Sequence, residues 1–215
     1  MREYFDKDLD KLNNQLIEMG SLVEKAIKNT VDVITSDKDE SLDFAREQEN
    51  KINEAEKSIQ NHCIRLLLHQ APVAKDLRYI SAALKMITDL ERIGDQAIDI
   101  AEMSEYINNR TTVLNMTHIS EMASKAADMV TLAIDAFVKS DLELAKTVNK
   151  HDDVIDNLFD QVKDETVEII HNDRNLGTEA IDLMMIAKYL ERIGDHAVNI
   201  AEWVAFSITG SCDIK

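Results

Sequence analysis

Glu91, Asp95 and Asp99 stand at i, i+4 and i+8, and Glu191, Asp195 and Asn199 repeat that spacing one hundred residues later. Oxygen-bearing side chains stacked on one side of a helix are donors for hard or borderline cations. The stretch around them is itself repeated. Leu90–Glu102 reads LERIGDQAIDIAE and Leu190–Glu202 reads LERIGDHAVNIAE, identical at ten of thirteen positions. At about 100° per residue, Glu91, Asp95, Ile98 and Glu102 fall within roughly 60° of one another. Ile80, Leu84 and Ile87 lie on the same stripe, and Leu90, Ile93, Ala97 and Ile100 line the opposite side. A helix apolar on most sides is a buried helix, so these acids continue an apolar face. Each like-charge i,i+4 pair costs ~0.2–0.5 kcal/mol, and desolvating an unpaired carboxylate costs more. Basic partners, protonation or bound cations must offset that cost.

A second acidic element accompanies each copy. Glu49 and Asn53 flank Ile52, and Asp152 and Asp156 flank Ile155, again at i and i+4. In an antiparallel hairpin each pair is able to face the acids of the next helix, so each half collects four to six oxygen donors. Without cysteine, such a site favours Mg²⁺, Ca²⁺, Mn²⁺ or iron. The alternative is structural pairing of these acids with Arg78, Arg92, Arg192 and lysines of neighbouring helices. Cation binding is preferred, because the constellation is repeated and buried unpaired charge needs compensation. Gly94 and Gly194, within helical stretches, cost close to 1 kcal/mol each against alanine. Close approach of a neighbouring helix beside the acids accounts for them.

The elements that position these residues follow from periodicity. Helices are expected over Tyr4–Thr35, Glu40–His69, Ala74–Asn108, His118–Lys139, Leu142–Ile170 and Glu179–Ile208. Polar breaks fall at Ser36–Asp39 and Ser140–Asp141, the single proline, Pro72, marks a boundary, and Thr178 is a candidate N-cap. Asn109–Thr112 is the expected linker between the halves. The fold class is therefore all-α: two tandem three-helix bundles, six long antiparallel helices with an internal pseudo-twofold repeat, divided as 1–110 and 111–215.

Composition narrows the function further. With 41 Asp and Glu against 24 Lys and Arg, the net charge is −17. That excludes a nucleic-acid footprint, which needs a basic stripe, and disfavours docking on an anionic membrane. The start of the chain is charged, so no signal peptide is expected, no run is long enough to span a membrane, and the cytoplasm is the expected compartment. Cys63 reads as a small core residue and Cys212 belongs to no metal or redox motif. Of the six histidines, His151 and His196 neighbour acids of the second half, but none lies in a metal-ligand motif. A ferritin-like di-iron enzyme needs Glu-x-x-His on two helices. A single Glu-x-x-His, Glu168–His171, is present where two are needed, so that reading falls behind. A purely structural scaffold with salt-bridged acids is the other alternative.

The two Glu-Arg-Ile-Gly-Asp copies and the run Ala71-Pro72-Val73-Ala74-Lys75-Asp76-Leu77-Arg78 resemble the PhoU family of phosphate-uptake regulators over nearly the whole chain. The resemblance implies two three-helix bundles and a regulatory, non-enzymatic role. It implies restraint of phosphate import and of phosphate-starvation genes when phosphate is sufficient. The implied partners are the ATPase subunit of the phosphate ABC transporter and a membrane sensor histidine kinase; a homodimer is compatible. The implied cofactors are multinuclear iron or zinc clusters, with Mg or Mn as alternatives. By motif, the first cluster uses Glu49, Glu91, Asp95 and Asp99, and the second uses Asp152, Asp156, Glu191, Asp195 and Asn199. Asn53 departs from the acidic pattern and Lys51 lies beside it, so weaker binding is expected at the first.

Overall fold

The structure, a computed structural model, describes residues 2–35, 41–69, 72–107 and 117–212. Among them are six α-helices: α1 (Arg2–Thr35), α2 (Ser41–His69), α3 (Ala74–Glu105), α4 (Ile119–Lys139), α5 (Leu142–Asn172) and α6 (Gly177–Thr209). A 3-10 turn, Arg174–Leu176, precedes α6. The expected break at Ser36–Asp39, residues Gln70 and Ala71, the linker Asn109–Thr112 and the division at 110/111 lie outside the described residues. So do Glu40 and Asn108, the outermost residues of two expected helices.

Three-four spacing of aliphatic residues builds each helix and fixes which side it buries. Leu12, Leu16, Met19, Val23 and Ile27 of α1 are buried, as are Ile119, Met122, Ala126, Met129, Ala133 and Phe137 of α4. On α2, Ile52, Ile59, Cys63 and Leu66 face inward, and burial pushes the Cys63 thiol up to about 12. Phe44, expected on that face, points outward, and Ala45 and Gln48 are buried in its place. The halves do not keep separate cores: one cluster of buried side chains runs through all six helices.

The first half packs up-down-up. Gln15 of α1 meets Ser58 and His62 of α2. Asn13 and Thr30 of α1 meet Tyr79 and Ala97 of α3. Between the halves, Tyr79 stacks on Phe137 at 5.9 Å, and Ile134 would stand 3.0 Å from a Cβ at Gly20. Helices α3 and α6 run antiparallel along the seam. Arg78 lies against Gly210, Lys85 over Trp203 and Asp89 beside His196 and Asn199.

Turn chemistry sets the helix ends. Ser140 adopts a left-handed conformation (φ 49°), and the Asp141 carboxylate accepts from the backbone N–H of Glu143 and Leu144 at 2.9 and 3.0 Å. Such a cap is worth ~1 kcal/mol. Before α6 the expected Thr178 cap is not formed. Asp173 instead accepts from Asn175 N at 2.9 Å, capping the 3-10 turn, and α6 starts two residues earlier than Glu179.

Candidate metal centre

In the first half α2 and α3 come close at the repeated glycine. A Cβ at Gly94 would stand 3.0 Å from Ile52 Cδ1, so α3 meets α2 where Glu49 and Asn53 flank that isoleucine. The approach sets Glu49 beside Asp95, Asp99 and Glu102. Burial, then the charges of Asp95, Glu102 and Asp99, hold the Glu49 carboxyl above its ordinary range, against the opposing pull of Arg46. Glu91 is raised by burial and by Asp95, Glu56 and Glu49, with Arg92 opposing. Asp99 is raised by burial, Asp95 and Glu102, while Arg192 of the other half lowers it. The counter-charge is partial. Arg46 reaches Glu102 at 3.2 Å, and Arg92 lies 3.5 Å from Glu91 and 3.3 Å from Asp95. All three bridges are substantially exposed, where pairs are worth little.

The second half repeats the construction. A Cβ at Gly194 would lie 3.6 Å from Asp152 Oδ1 and from Ile155 Cγ2. Burial and the charges of Asp156, Asp195, Asp153 and Glu191 push Asp152 up to about 6. Asp195 is also raised, by burial, Glu191 and Asp156, against Lys188 and His196. Lys188 pairs with Glu191 at 2.5 Å.

Eight of the nine residues singled out from sequence thus fall into two strips, one between α2 and α3 and one between α5 and α6. Asn199 stands apart. Its amide donates to Asp89 Oδ1 at 3.2 Å, across the seam, and His196 Nδ1 lies 2.9 Å from the same oxygen. His151 Nδ1 donates to the Thr147 carbonyl at 2.9 Å. Sequence reasoning left Glu56, Asp153 and Asp89 unassigned. Glu56 is one turn beyond Asn53, a spacing signal that was available. Asp89 has no counterpart in the repeat, where Tyr189 occupies its place.

Among the described residues no three His, Cys, Asp or Glu side chains are arranged, as they stand, to hold a metal ion. The donor chemistry fits a hard cation nonetheless. Each strip offers oxygen from Asp, Glu or Asn side chains, carboxyls of both are raised by burial and then by mutual repulsion, and Asn53 Oδ1 is a buried acceptor without a partner among the described residues. In both strips the acids are only partly matched by basic side chains.

The PhoU domain model matches this chain twice, over residues 16–104 and 119–204. A "Phosphate-specific transport system accessory protein PhoU homolog" from Clostridium acetobutylicum is 34% identical over 97% of this chain and 96% of its own length. A protein of the same description from Pseudomonas aeruginosa is 31% identical, covering 97% and 87%. The crystal structure of PhoU from Pseudomonas aeruginosa superposes with a TM-score of 0.88 at 31% identity, over 96% of this chain and 100% of that one. A Streptococcus pneumoniae PhoU structure shares the fold, with a TM-score of 0.86 at 23% identity and coverage of 97% and 99%.

Proposed function

This chain belongs to the PhoU family, and we propose that it is a cytoplasmic regulator that restrains phosphate uptake and phosphate-starvation signalling when phosphate is sufficient. It acts as an adaptor between the ATPase subunit of the phosphate ABC transporter and a sensor histidine kinase. The role is regulatory, not catalytic, in keeping with relatives described as accessory proteins. The observation that carries the reading is the pair of Glu-Arg-Ile-Gly-Asp copies, each set by its glycine against a helix bearing carboxylates. No described helix is long and apolar enough to cross a membrane, so membrane partners are reached by docking.

Each half, 1–110 and 111–215, carries one cation centre in this reading. Glu49, Glu91, Asp95 and Asp99 hold the first, and Asp152, Asp156, Glu191 and Asp195 the second, with iron, zinc, Mg²⁺ or Mn²⁺ as the ion. Asn199 serves the seam instead. The ion supplies counter-charge that the arginines and Lys188 supply only in part. Bringing a carboxylate strip to neutrality draws α2 to α3, or α5 to α6, and sets the outer surface that a partner reads.

The test is genetic and direct. Deleting the gene should derepress a phosphate-starvation reporter in phosphate-rich medium and raise phosphate uptake. Restoring the wild-type gene should reverse both, and restoring Asp95→Asn/Asp195→Asn should reverse neither. An unchanged reporter and unchanged uptake on deletion would overturn the regulatory role. Full function of the double variant would separate that role from the cations.

A further inference from the structure

The turn joining α2 to α3 and the turn joining α5 to α6 are equivalent in the repeat but opposite in charge. Residues 61–80 carry Arg65, Lys75 and Arg78 against one acid, Asp76. Residues 164–183 carry six acids against Arg174 alone. Because α3 and α6 are antiparallel, these two ends lie at opposite extremes of the molecule. Both expose aliphatic side chains: Ile64, Leu68, Val73 and Leu77 at the first, Val167, Ile170, Ile181 and Met185 at the second. Leu68 is 74% exposed and Val73 55%.

Asp76 does not offset the basic end from outside. It is buried and accepts from the Val73 backbone N–H at 3.3 Å. Arg65 and Lys75 are exposed and enter no ion pair among the described residues. The first turns of α1 pack alongside and are near balance, with Arg2, Lys7 and Lys11 against Glu3, Asp6, Asp8 and Asp10.

We propose that the α2–α3 end docks on an anionic lipid bilayer, its aliphatic residues entering the headgroup region while Arg65 and Lys75 meet lipid phosphates. Aliphatic residues flanked by basic ones are the composition of an interfacial contact. A bilayer, unlike a protein, needs no preformed groove to receive side chains standing out from a hairpin end. The net charge of −17 does not forbid this contact. Glu56, the acid of α2 nearest this end, is nine residues from Arg65, about 14 Å along the helix, and charges are screened over about 8 Å at physiological salt. The acidic end lies further still. It carries the same kind of apolar exposure with the wrong charge, so it is a matched control within the chain.

Co-sedimentation with vesicles tests the proposal, in chelator and at physiological salt. The probes are phosphatidylglycerol/phosphatidylcholine vesicles and pure phosphatidylcholine vesicles, with circular dichroism to verify that each variant is folded. The full chain should bind the anionic vesicles and not the neutral ones. Arg65→Glu/Lys75→Glu should weaken binding more than tenfold, at roughly fivefold per basic charge removed. Leu68→Asp/Val73→Asp should do the same, whereas Val167→Asp/Ile181→Asp at the opposite end should leave binding unchanged. Absence of binding to anionic vesicles overturns the proposal and leaves this end to a protein partner. Equal binding to both vesicle types, or loss only in the opposite-end variant, overturns it as well.

Discussion

The acids of the α2–α3 hairpin and those of the α5–α6 hairpin share one motif and differ in their counter-charge. In the first, Arg46 reaches Glu102 and Arg92 bridges Glu91 and Asp95. In the second, Lys188 reaches Glu191, and the position matching Arg46 is Asn149. The matched segments explain it: residues 46–53 hold two basic and two acidic side chains, residues 149–156 one basic and three acidic. Asn50, Lys51 and Asn53 of α2 become Asp153, Val154 and Asp156 of α5. Burial first, then repulsion from Asp156, Asp195, Asp153 and Glu191, accordingly pushes Asp152 up to about 6. The repeat dictates where two helices come close; Arg46 and the substitutions between segments 46–53 and 149–156 shift the charge balance there.

The largest effect that separates the halves is cation-linked stability. An ion supplied at about a hundred times its dissociation constant stabilises each occupied site by ~2.7 kcal/mol. Asp152→Asn should remove the share of the second half and Glu49→Gln that of the first, with the second being lost at the lower ion concentration in wild type. Thermal melts across a Mn²⁺ titration read both. If the first half fills before the second, the ranking by counter-charge is broken.

The seam comes next. Asp89→Ala leaves His196 Nδ1 and the Asn199 amide without their acceptor and should cost about 1–3 kcal/mol. Glu102→Ala, which removes only the exposed bridge to Arg46, should cost under about 1 kcal/mol. Urea unfolding of both variants provides the comparison.

The glycines sharpen it further. Gly94→Ala sets a methyl 3.0 Å from Ile52 Cδ1 and 3.3 Å from its Cγ2, whereas Gly194→Ala meets nothing nearer than 3.6 Å. Overpacking costs about 1–3 kcal/mol, and alanine regains close to 1 kcal/mol of helix propensity. Gly94→Ala should therefore be the less stable variant by about 1–3 kcal/mol, with Gly194→Ala up to about 1 kcal/mol more stable than wild type. Equal stabilities would mean that α2 and α5 stand equally far from their glycines.

The smallest effect is in pH dependence. Asp152 is raised from 3.8 to about 6, so its folded form binds the proton more tightly. Its favourable contribution is complete below about 3.8 and is lost as pH rises through about 6. His62 has the opposite sign. Burial first, then Arg65, lowers it below 6.5, so its contribution is present above 6.5 and is lost as pH falls. In chelated protein, Asp152→Asn should abolish a gain in stability on acidification from pH 7 to 5, and His62→Gln should abolish a loss over the same interval. Melts at the two pH values decide between these signs.

Much of this was legible in the sequence because helices carry their own register. The spacing of Leu12, Leu16, Met19 and Val23 is enough to place the core face of α1, and the repeated Glu-Arg-Ile-Gly-Asp is enough to place carboxylates beside a close helix contact. What was not legible depends on a second neighbour. Periodicity shows that Asn199 faces a helix but not which one, and its partner Asp89 lies 110 residues away. Phe44 sits at the start of α2, where Ala45 and Gln48 fill the inward side, so an apolar residue in the right spacing still points to solvent. Thr178 lost its capping role to Asp173 because a 3-10 turn intervenes, and three residues of such a turn leave no periodic signal.

Cation stoichiometry by half is the most direct test of the central claim that the repeat builds two cation centres. Equilibrium dialysis of chelated, tag-free protein against Mn²⁺ should show ions bound in both halves of the wild type. Glu91→Gln/Asp95→Asn should remove only the tenants of the α2–α3 strip, Asp152→Asn/Asp195→Asn only those of the α5–α6 strip, and the quadruple variant should bind none. Wild-type protein that binds no ion, or binding that survives in the quadruple variant, would contradict the account.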